Sequence, residues 1–397
     1  MNSPLSLHSP EQLVRNAFQL LKPEQNDFAV EGVNHLLTIA RTIQASDLHL
    51  IPEADASQLR VLFRIDGVLH AGGVVPQRAS HLIARLKVLA GLLTYRSDIP
   101  QEGRVRTGDA DVEMRLSTFP TVHGEKGVVR FFVGSGSFRR LEDLGFPADI
   151  QGAMQNLLQQ TSGLFLVSGP AGSGKTTTLY AALRFLQESS PTLRSLCSLE
   201  DPVEALLPGV SQTQLRSEGE LTYQRGLASL MRQDPEVILV GEIRDRETAE
   251  IVFQASLTGH LVLSSFHAGR AAVAVSRLSD MGIEPYILRS GLLAILSQQL
   301  LRRCCSCGHI PEGCPACRHT GYQGRLLLCE LLSPELNNLG RSILNRDDAD
   351  RIEELAVSAG MIPLSERGRQ AVVSGLTTSQ ELIRVFGPQI GSLPENG

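Results

Sequence analysis

The segment Gly169-Pro170-Ala171-Gly172-Ser173-Gly174-Lys175-Thr176 constrains this chain more than any other. It fits G-x-x-x-x-G-K-[ST] in full, an apolar run (LFLVS) enters it, and residues with helical spacing leave it. Glycines let such a loop curl its backbone N–H groups around phosphate oxygens, because no Cβ obstructs the turn. Lys175 is then placed to reach the β- and γ-phosphates, and the Thr176 hydroxyl to complete a Mg²⁺ shell. A helix N-terminus adds its partial positive charge. Residues Gly169 to Thr177 are therefore the candidate ATP-binding loop. The competing reading, a glycine-rich turn that matches by chance, does not account for the strand before it and the helix after it.

Around this loop the chain divides by pattern. Its 397 residues suggest two or three domains at about 150 residues each. Residues 1–29 read as a loose lead-in with one short helix. Residues 30–133 mix helical spacing (VEGVNHLLTIARTIQA, SHLIARLKVLAGLL) with alternating strands (DLHLIP, LRVLFRID, VEMRLSTF), an α+β domain. Residues 134–147 are glycine- and serine-rich and close on a proline, which marks a linker. Residues 148–332 alternate near-continuous apolar strands with helices, the signature of a parallel sheet covered on both faces, and include the cysteine cluster at 304–317. Residues 333–397 are helical in pattern. The expected fold class is α/β, a parallel-sheet motor domain preceded by a smaller α+β domain and followed by a helical tail.

Composition removes other classes. Lys and Arg total 37 against 42 Asp and Glu, a formal charge of -5, and Trp is absent. Both facts weigh against a basic, base-stacking nucleic-acid binder. The sequence has no run of 18 apolar residues and no signal-like N-terminus, so a cytoplasmic location is expected. Seven cysteines there imply reduced thiols or a metal site rather than disulfides.

Two acids end expected strands. Glu200 closes SLE before Asp201-Pro202, and Glu242 follows VILVG. In an open parallel sheet that edge is where ligands sit, and a carboxylate there can hold Mg²⁺ through water or take a proton from attacking water. Each could also be a surface acid capping the next helix. His260 and His267 bracket the strand LVLSSF; His267, near Ser264 and Ser265, is a candidate γ-phosphate sensor or a structural loop residue.

Five cysteines crowd the region from Cys304 to Cys317. Cys314 and Cys317 form C-x-x-C, and Cys304 with Cys307 forms a second such pair, with Cys305 as the alternative to Cys304. Four thiolates make a tetrahedral structural Zn²⁺ site; His309 and His319 stand near as substitutes, and leftover reduced thiols are the bland alternative.

Four blocks now stand in one order: GPAGSGKTTTLY, LEDPVE, RQDPEVILVGEIRD and LTGHLVLSSFH. The series resembles the GspE/PilB group of secretion ATPases, of type II secretion and type IV pilus assembly, where the blocks are called Walker A, Asp box, Walker B and His box. ASDLHL, FRIDGVLH, RLKVLAGL, QEGRV and GEKGVVRF extend the likeness upstream, and CPACRHTGYQGR and GLTTSQELIRV extend it to about residue 390. Within the group the chain resembles the HofB-type pilus-assembly branch. The resemblance implies a RecA-like motor behind a PAS-like domain, assembled as a homo-oligomeric ring, usually a hexamer. It implies ATP hydrolysis that drives pilus or pseudopilus assembly against an inner-membrane platform protein, with peripheral attachment through partners and no nucleic acid. It assigns Glu200 and Glu242 as catalytic and metal-organising carboxylates and His260 and His267 to the His box. Arg104, Arg115 and Arg130 match the basic residues that close over the phosphates, an arginine-finger arrangement.

The paired cysteines favour the assembly branch over the alternatives, a retraction-type or DNA-transfer ATPase. The rival from another class is a zinc-containing nucleic-acid module regulated by ATP. The chain also departs from the pattern. Its upstream cysteine pair matches the family from Cys305, one residue short, and HAGR replaces the usual Thr and Asn after the second His. About 30 residues precede the matching region, so the family's further docking domain is not expected.

Overall fold

The computed structural model describes residues 9–55, 57–75, 78–107, 113–132, 140–189, 193–215, 221–310, 312–334 and 337–388. Part of the expected linker (134–139), residues 1–8 of the lead-in and the last residues of the tail lie outside them.

Helix α1 (Pro10–Gln19) starts where the sequence writes S-P-E-Q. Ser9 Oγ accepts from the Gln12 amide, Gln12 Oε1 accepts from the Ser9 amide, and Pro10 takes the first helical position. Then follow α2 (Phe28–Thr42), β1 (Asp47–Pro52), β2 (Leu59–Ile65), β3 (Val68–Val75), α3 (Ala79–Leu89), β4 (Gln101–Val105), β5 (Glu113–Thr121) and β6 (Gly124–Phe132). The strands form a sheet of order β3-β2-β1-β6-β5-β4, every neighbour antiparallel. Alternation along the strands sends Leu48, Phe63, Met114 and Val129 to one face, where Leu13, Leu36 and Leu86 of the three helices meet them. This is the α+β arrangement expected from the sequence. One charge is sealed inside it. Lys87 has no exposed surface, and its Nζ donates to Glu125 at 2.8 Å and to the Arg96 carbonyl at 2.6 Å.

The motor follows as α4 (Ala148–Leu158), β7 (Gly163–Ser168), α5 (Lys175–Ser189), β8 (Leu196–Glu200), β9 (Ser211–Gln214), α6 (Tyr223–Leu230), β10 (Val237–Val240), α7 (Arg246–Leu257), β11 (Leu261–Phe266), α8 (Ala271–Asp280), α9 (Pro285–Gly291) and β12 (Leu292–Cys304). It closes with β13 (Tyr322–Leu332), α10 (Asn337–Leu344), α11 (Ala349–Ser358), α12 (Leu364–Val373) and α13 (Ser379–Phe386). The sheet order is β13-β12-β7-β11-β10-β8-β9, and the pairs from β12 through β7 to β9 are parallel. Strands β7, β8, β10 and β11 are buried along their whole length, which is why they read as unbroken apolar runs. One strand, β11, separates the phosphate-loop strand β7 from the acid-bearing β10. Buried Glu330 on β13 accepts from the amides of Ala271 and Leu364, so one carboxylate caps both α8 and α12. The tail is thereby fixed to the segment that leaves β11.

By contacts the chain forms two bodies, Met1–Gly134 with Arg302–Arg325, and Ser135–Leu301 with Leu326–Gly397. The cysteine segment therefore packs with the N-terminal body, whereas its sequence position places it with the motor. The physical reason is length: β12 runs 13 residues, and its end and the start of β13 extend beyond the strand it shares with β7.

Candidate functional site

Strand β7 delivers the loop, and α5 begins at Lys175. Gly169, Gly172 and Gly174 hold φ values of 151°, 77° and 91°, a backbone region that glycine enters without strain. A Cβ on Gly169 would also lie 2.4 Å from the Gln298 carbonyl oxygen, so no side chain fits there. Lys175 Nζ donates to the carbonyls of Gly169 at 2.8 Å and Pro170 at 3.0 Å, and sits 3.4 Å from His267 Nδ1. Burial lowers the Lys175 ammonium to a pKa of about 8, against the opposing pull of Glu242 and Glu204. An ammonium so poorly hydrated gains from any anion brought to the loop.

Glu242 stands two residues past β10, with its carboxylate 20% exposed. Oε1 lies 3.0 Å from His267 Nε2, and Oε2 accepts from Arg244 Nε at 3.0 Å. Arg244 also approaches Asp201 at 3.9 Å. Lys175, His267, Glu242 and Arg244 thus form one continuous chain of contacts across the C-terminal edge of the sheet. The first three come from three separate motifs, and the structure brings them together. Arg277 fixes the His267 carbonyl and lies over the Phe266 ring, 5.3 Å from its centre.

Glu200 is placed differently. It is 3% exposed and its oxygens accept from Ser198 Oγ at 2.5 Å, Tyr180 Oη at 2.5 Å and Gln212 Nε2 at 3.3 Å. Burial and the adjacent carboxylate push the Tyr180 phenol far above its ordinary range, which keeps it a donor. In this arrangement Glu200 braces α5 against β8 and β9. His260 stands apart from this group. It precedes β11, its Nδ1 is 3.1 Å from the Ala255 carbonyl, and six strand residues, roughly 20 Å, separate it from His267. Its ring closes the C-terminal end of α7 at the opposite edge of the sheet from the phosphate loop. Thr176 and Thr177 occupy the first turn of α5, Thr177 exposed.

In the N-terminal body, Arg104, Arg115 and Arg130 stand in one transverse row of the sheet, which continues through Asp47 to Arg64. Asp47 is buried and holds Arg130 Nε at 3.0 Å, while Arg115 Nε pairs with Glu102 at 2.7 Å. The sequence named the three arginines; their alignment in one row is a matter of register.

At the cysteine site the structure selects Cys305, the alternative to Cys304. The sulfurs of Cys305, Cys307, Cys314 and Cys317 all lie within 4.8 Å of one another, and Cys304 is outside the group. Cys304 is the last residue of β12, and adjacent residues on extended backbone point to opposite sides. Only one of the pair can face the cluster. The Cys305 amide donates to Gly321 at 2.8 Å, which fixes it on the cluster side. The donor set fits Zn²⁺: the Cys305 and Cys314 sulfurs are 3.9 Å apart, and a tetrahedral zinc–thiolate site needs roughly 3.8 Å. Burial opposes ionisation of Cys317, yet amide donors, led by Cys314, lower it to a pKa of about 6, as a thiolate ligand requires. Arg244, Tyr180 and Gln298 were not evident beforehand; only the Arg244 position, two residues past an acid at a strand end, carried a usable signal.

A phosphate loop at the end of β7, an acid-bearing strand two positions away and a lysine poised for phosphate define a RecA-like P-loop ATPase, an enzyme that hydrolyses ATP. The comparisons agree. The family model "Type II/IV secretion system protein" matches residues 23–384, and the chain belongs to that family. It is 41% identical over 378 residues to the type II secretion system protein HxcR of Pseudomonas aeruginosa, covering 92% of this chain and 79% of that one. It is 39% identical over 403 residues to a putative type II secretion system protein E of Escherichia coli, covering 94% and 80%. It is 37% identical over 394 residues to the type IV pilus assembly ATPase TfpB of Acinetobacter baylyi, covering 91% and 66%. Among solved structures, the Legionella pneumophila ATPase DotB shares the fold with a TM-score of 0.68 at 19% identity, covering 88% of this chain and 93% of that one. The pilus retraction motor PilT does so at 0.63 and 23%, covering 91% and 97%.

Proposed function

We propose that the chain is the oligomeric motor of a type II secretion pseudopilus or a type IV pilus, working at the cytoplasmic face of the inner membrane against a platform protein. The observation that carries the reading is the contact chain Lys175–His267–Glu242–Arg244. When the phosphates of ATP enter the loop, Lys175 exchanges the Gly169 and Pro170 carbonyls for phosphate oxygens, because a buried ammonium prefers an anion to a neutral dipole. His267 then loses its lysine neighbour and turns toward the γ-phosphate. Glu242, held by Arg244 on one oxygen, is left with the other to orient the attacking water. The Thr176 hydroxyl, with nearby carboxylates acting through water, would hold Mg²⁺, and the ion would supply charge neutralisation of the phosphates.

The row Arg104, Arg115, Arg130 supplies the cations that meet the charge developing at the γ-phosphate, in a ring of identical subunits, taken as a hexamer. Cys305, Cys307, Cys314 and Cys317 would hold Zn²⁺, which would stiffen the loop that joins β12 to β13 and add no catalytic group. Four protein thiolates leave no open coordination position. Motion of the N-terminal body as ATP binds and leaves is the mechanical step.

Turnover measured with and without the cytosolic domain of the platform protein tests the reading. Stimulation is expected, and Lys175→Ala abolishes it. A rate indifferent to that domain, from an oligomer that binds it, argues against an assembly motor.

A further inference from the structure

Gln298 sits on β12 just past Ser297, which pairs with Ser168 at the end of the phosphate-loop strand. It is 1% exposed. Its Nε2 donates to the Ser173 carbonyl at 2.7 Å, and its Oε1 accepts from Thr178 Oγ1 at 2.9 Å. The amide orientation is fixed by chemistry, since a carbonyl can only accept and the nitrogen must therefore face Ser173. Its backbone oxygen lies against Gly169, and Nε2 lies 3.2 Å from where a Gly174 Cβ would be. One residue thus touches the start of the loop, its last turn and the first helical turn after it. No motif of the sequence includes it.

We propose that Gln298 is a positioning residue for nucleotide binding, an amide buckle that sets the phosphate loop from behind. A trans peptide directs its C=O and the following N–H to opposite sides. Drawing the Ser173 carbonyl toward Gln298 therefore turns the Gly174 N–H away from β12, into the hollow that receives phosphate. The Thr178 bond holds α5 at the same distance, so loop and helix N-terminus converge on one point. Loss of the buckle leaves a buried carbonyl unpaired, and the peptide regains freedom to rotate. The consequence falls on affinity for ATP and ADP alike, since the buckle acts on the cradle and not on the attacking water. The inference rests on the loop being the nucleotide site.

The test is the Kd of a fluorescent ADP analogue, with kcat at saturating ATP and Tm measured alongside. Gln298→Leu keeps the bulk and removes both bonds. It is expected to weaken ADP about 30-fold, about 2 kcal/mol at 1.4 kcal/mol per decade, while kcat stays within about threefold. Thr178→Val loses one bond and is expected to weaken ADP about fivefold. It decides the matter if the first variant does not fold. Unchanged ADP affinity in a folded variant, whatever its Tm, overturns the proposal, as does a loss confined to kcat. Wild-type protein that binds no ADP would instead refute the nucleotide site itself, an outcome the variants cannot mimic.

Discussion

Glu242→Gln changes one atom, and the structure says what that atom holds. A carboxylate only accepts, so His267 Nε2, 3.0 Å from Oε1, must bear the proton between them, and in the neutral ring Nδ1 then accepts, facing the Lys175 ammonium 3.4 Å away. Arg244 Nε donates to Oε2. An amide has one acceptor for these two donors. If its oxygen faces Arg244, its NH₂ faces His267, the imidazole changes tautomer, and an N–H confronts Lys175. If the oxygen faces His267, the NH₂ confronts Arg244. Either way one charge-assisted bond, about 1.5–3 kcal/mol, is replaced by a clash of donors. The carboxylate proposed to act on the attacking water is also gone, worth about 10²–10⁴-fold in rate for a positioned acid–base group. The variant is expected to bind ATP within a few-fold of wild type and to lose at least about 10²-fold in steady-state turnover. Binding is read from a fluorescent ATP analogue and turnover from phosphate release. Turnover within threefold of wild type removes Glu242 from the chemistry and dissolves the contact chain as an explanation.

Further outcomes follow from the same geometry. Burial lowers Lys175 from 10.5 to about 8, so the protonated form that grips phosphate is lost as pH rises through about 8; ADP affinity should be flat below neutrality and fall about tenfold per unit above that value, measured by titration at fixed ionic strength. Cys305→Ser should release zinc from purified protein, while Cys304→Ser keeps about one equivalent; the opposite pattern in elemental analysis would restore the first cysteine. Lys87→Met leaves Glu125 and the Arg96 carbonyl without their partner and should cost about 3–5 kcal/mol by denaturant unfolding of the intact chain, with much of it recovered in Lys87→Met/Glu125→Leu. Ser9→Ala removes one half of the α1 capping box and should cost only about 1 kcal/mol by the same measurement.

What could be read from the sequence was what local pattern encodes. The loop Gly169–Thr176 announced itself because glycine spacing, strand and helix coincide within a few residues. Buried parallel strands β7, β8, β10 and β11 were legible as apolar runs, and α7, α11 and α13 as periodic stretches. Strands β12 and β13 were not, because β12 carries Ser297, Gln298 and Gln299 within its apolar run and resembles neither template. Of these, Gln298 holds the phosphate loop through the Ser173 carbonyl.

The site was legible in its members but not in its wiring. Lys175, Glu242 and His267 were named from separate blocks, and only the sheet order places β11 between β7 and β10 and so brings His267 to both. His260 and His267 come from one block, and the rule that ligands sit at the C-terminal edge of a parallel sheet favours His267, which follows β11, over His260, which precedes it. C-x-x-C spacing favoured Cys304 and the family resemblance Cys305, and the side each takes at the end of β12 decides for Cys305. Glu200 carried the right chemistry for catalysis, and only its burial with Tyr180, Ser198 and Gln212 reveals how much of it is spent on bracing.

The central proposal is an ATPase that works as an oligomer and needs both Lys175, His267 and Glu242 of the motor and the arginine row of the N-terminal body. ATP turnover per subunit measured against oligomer size tests it most directly. Turnover is expected to rise with the population of rings and to be silenced in rings by Arg130→Ala. Monomers that hydrolyse ATP at the full rate, or Arg130→Ala rings that match wild type, would contradict it.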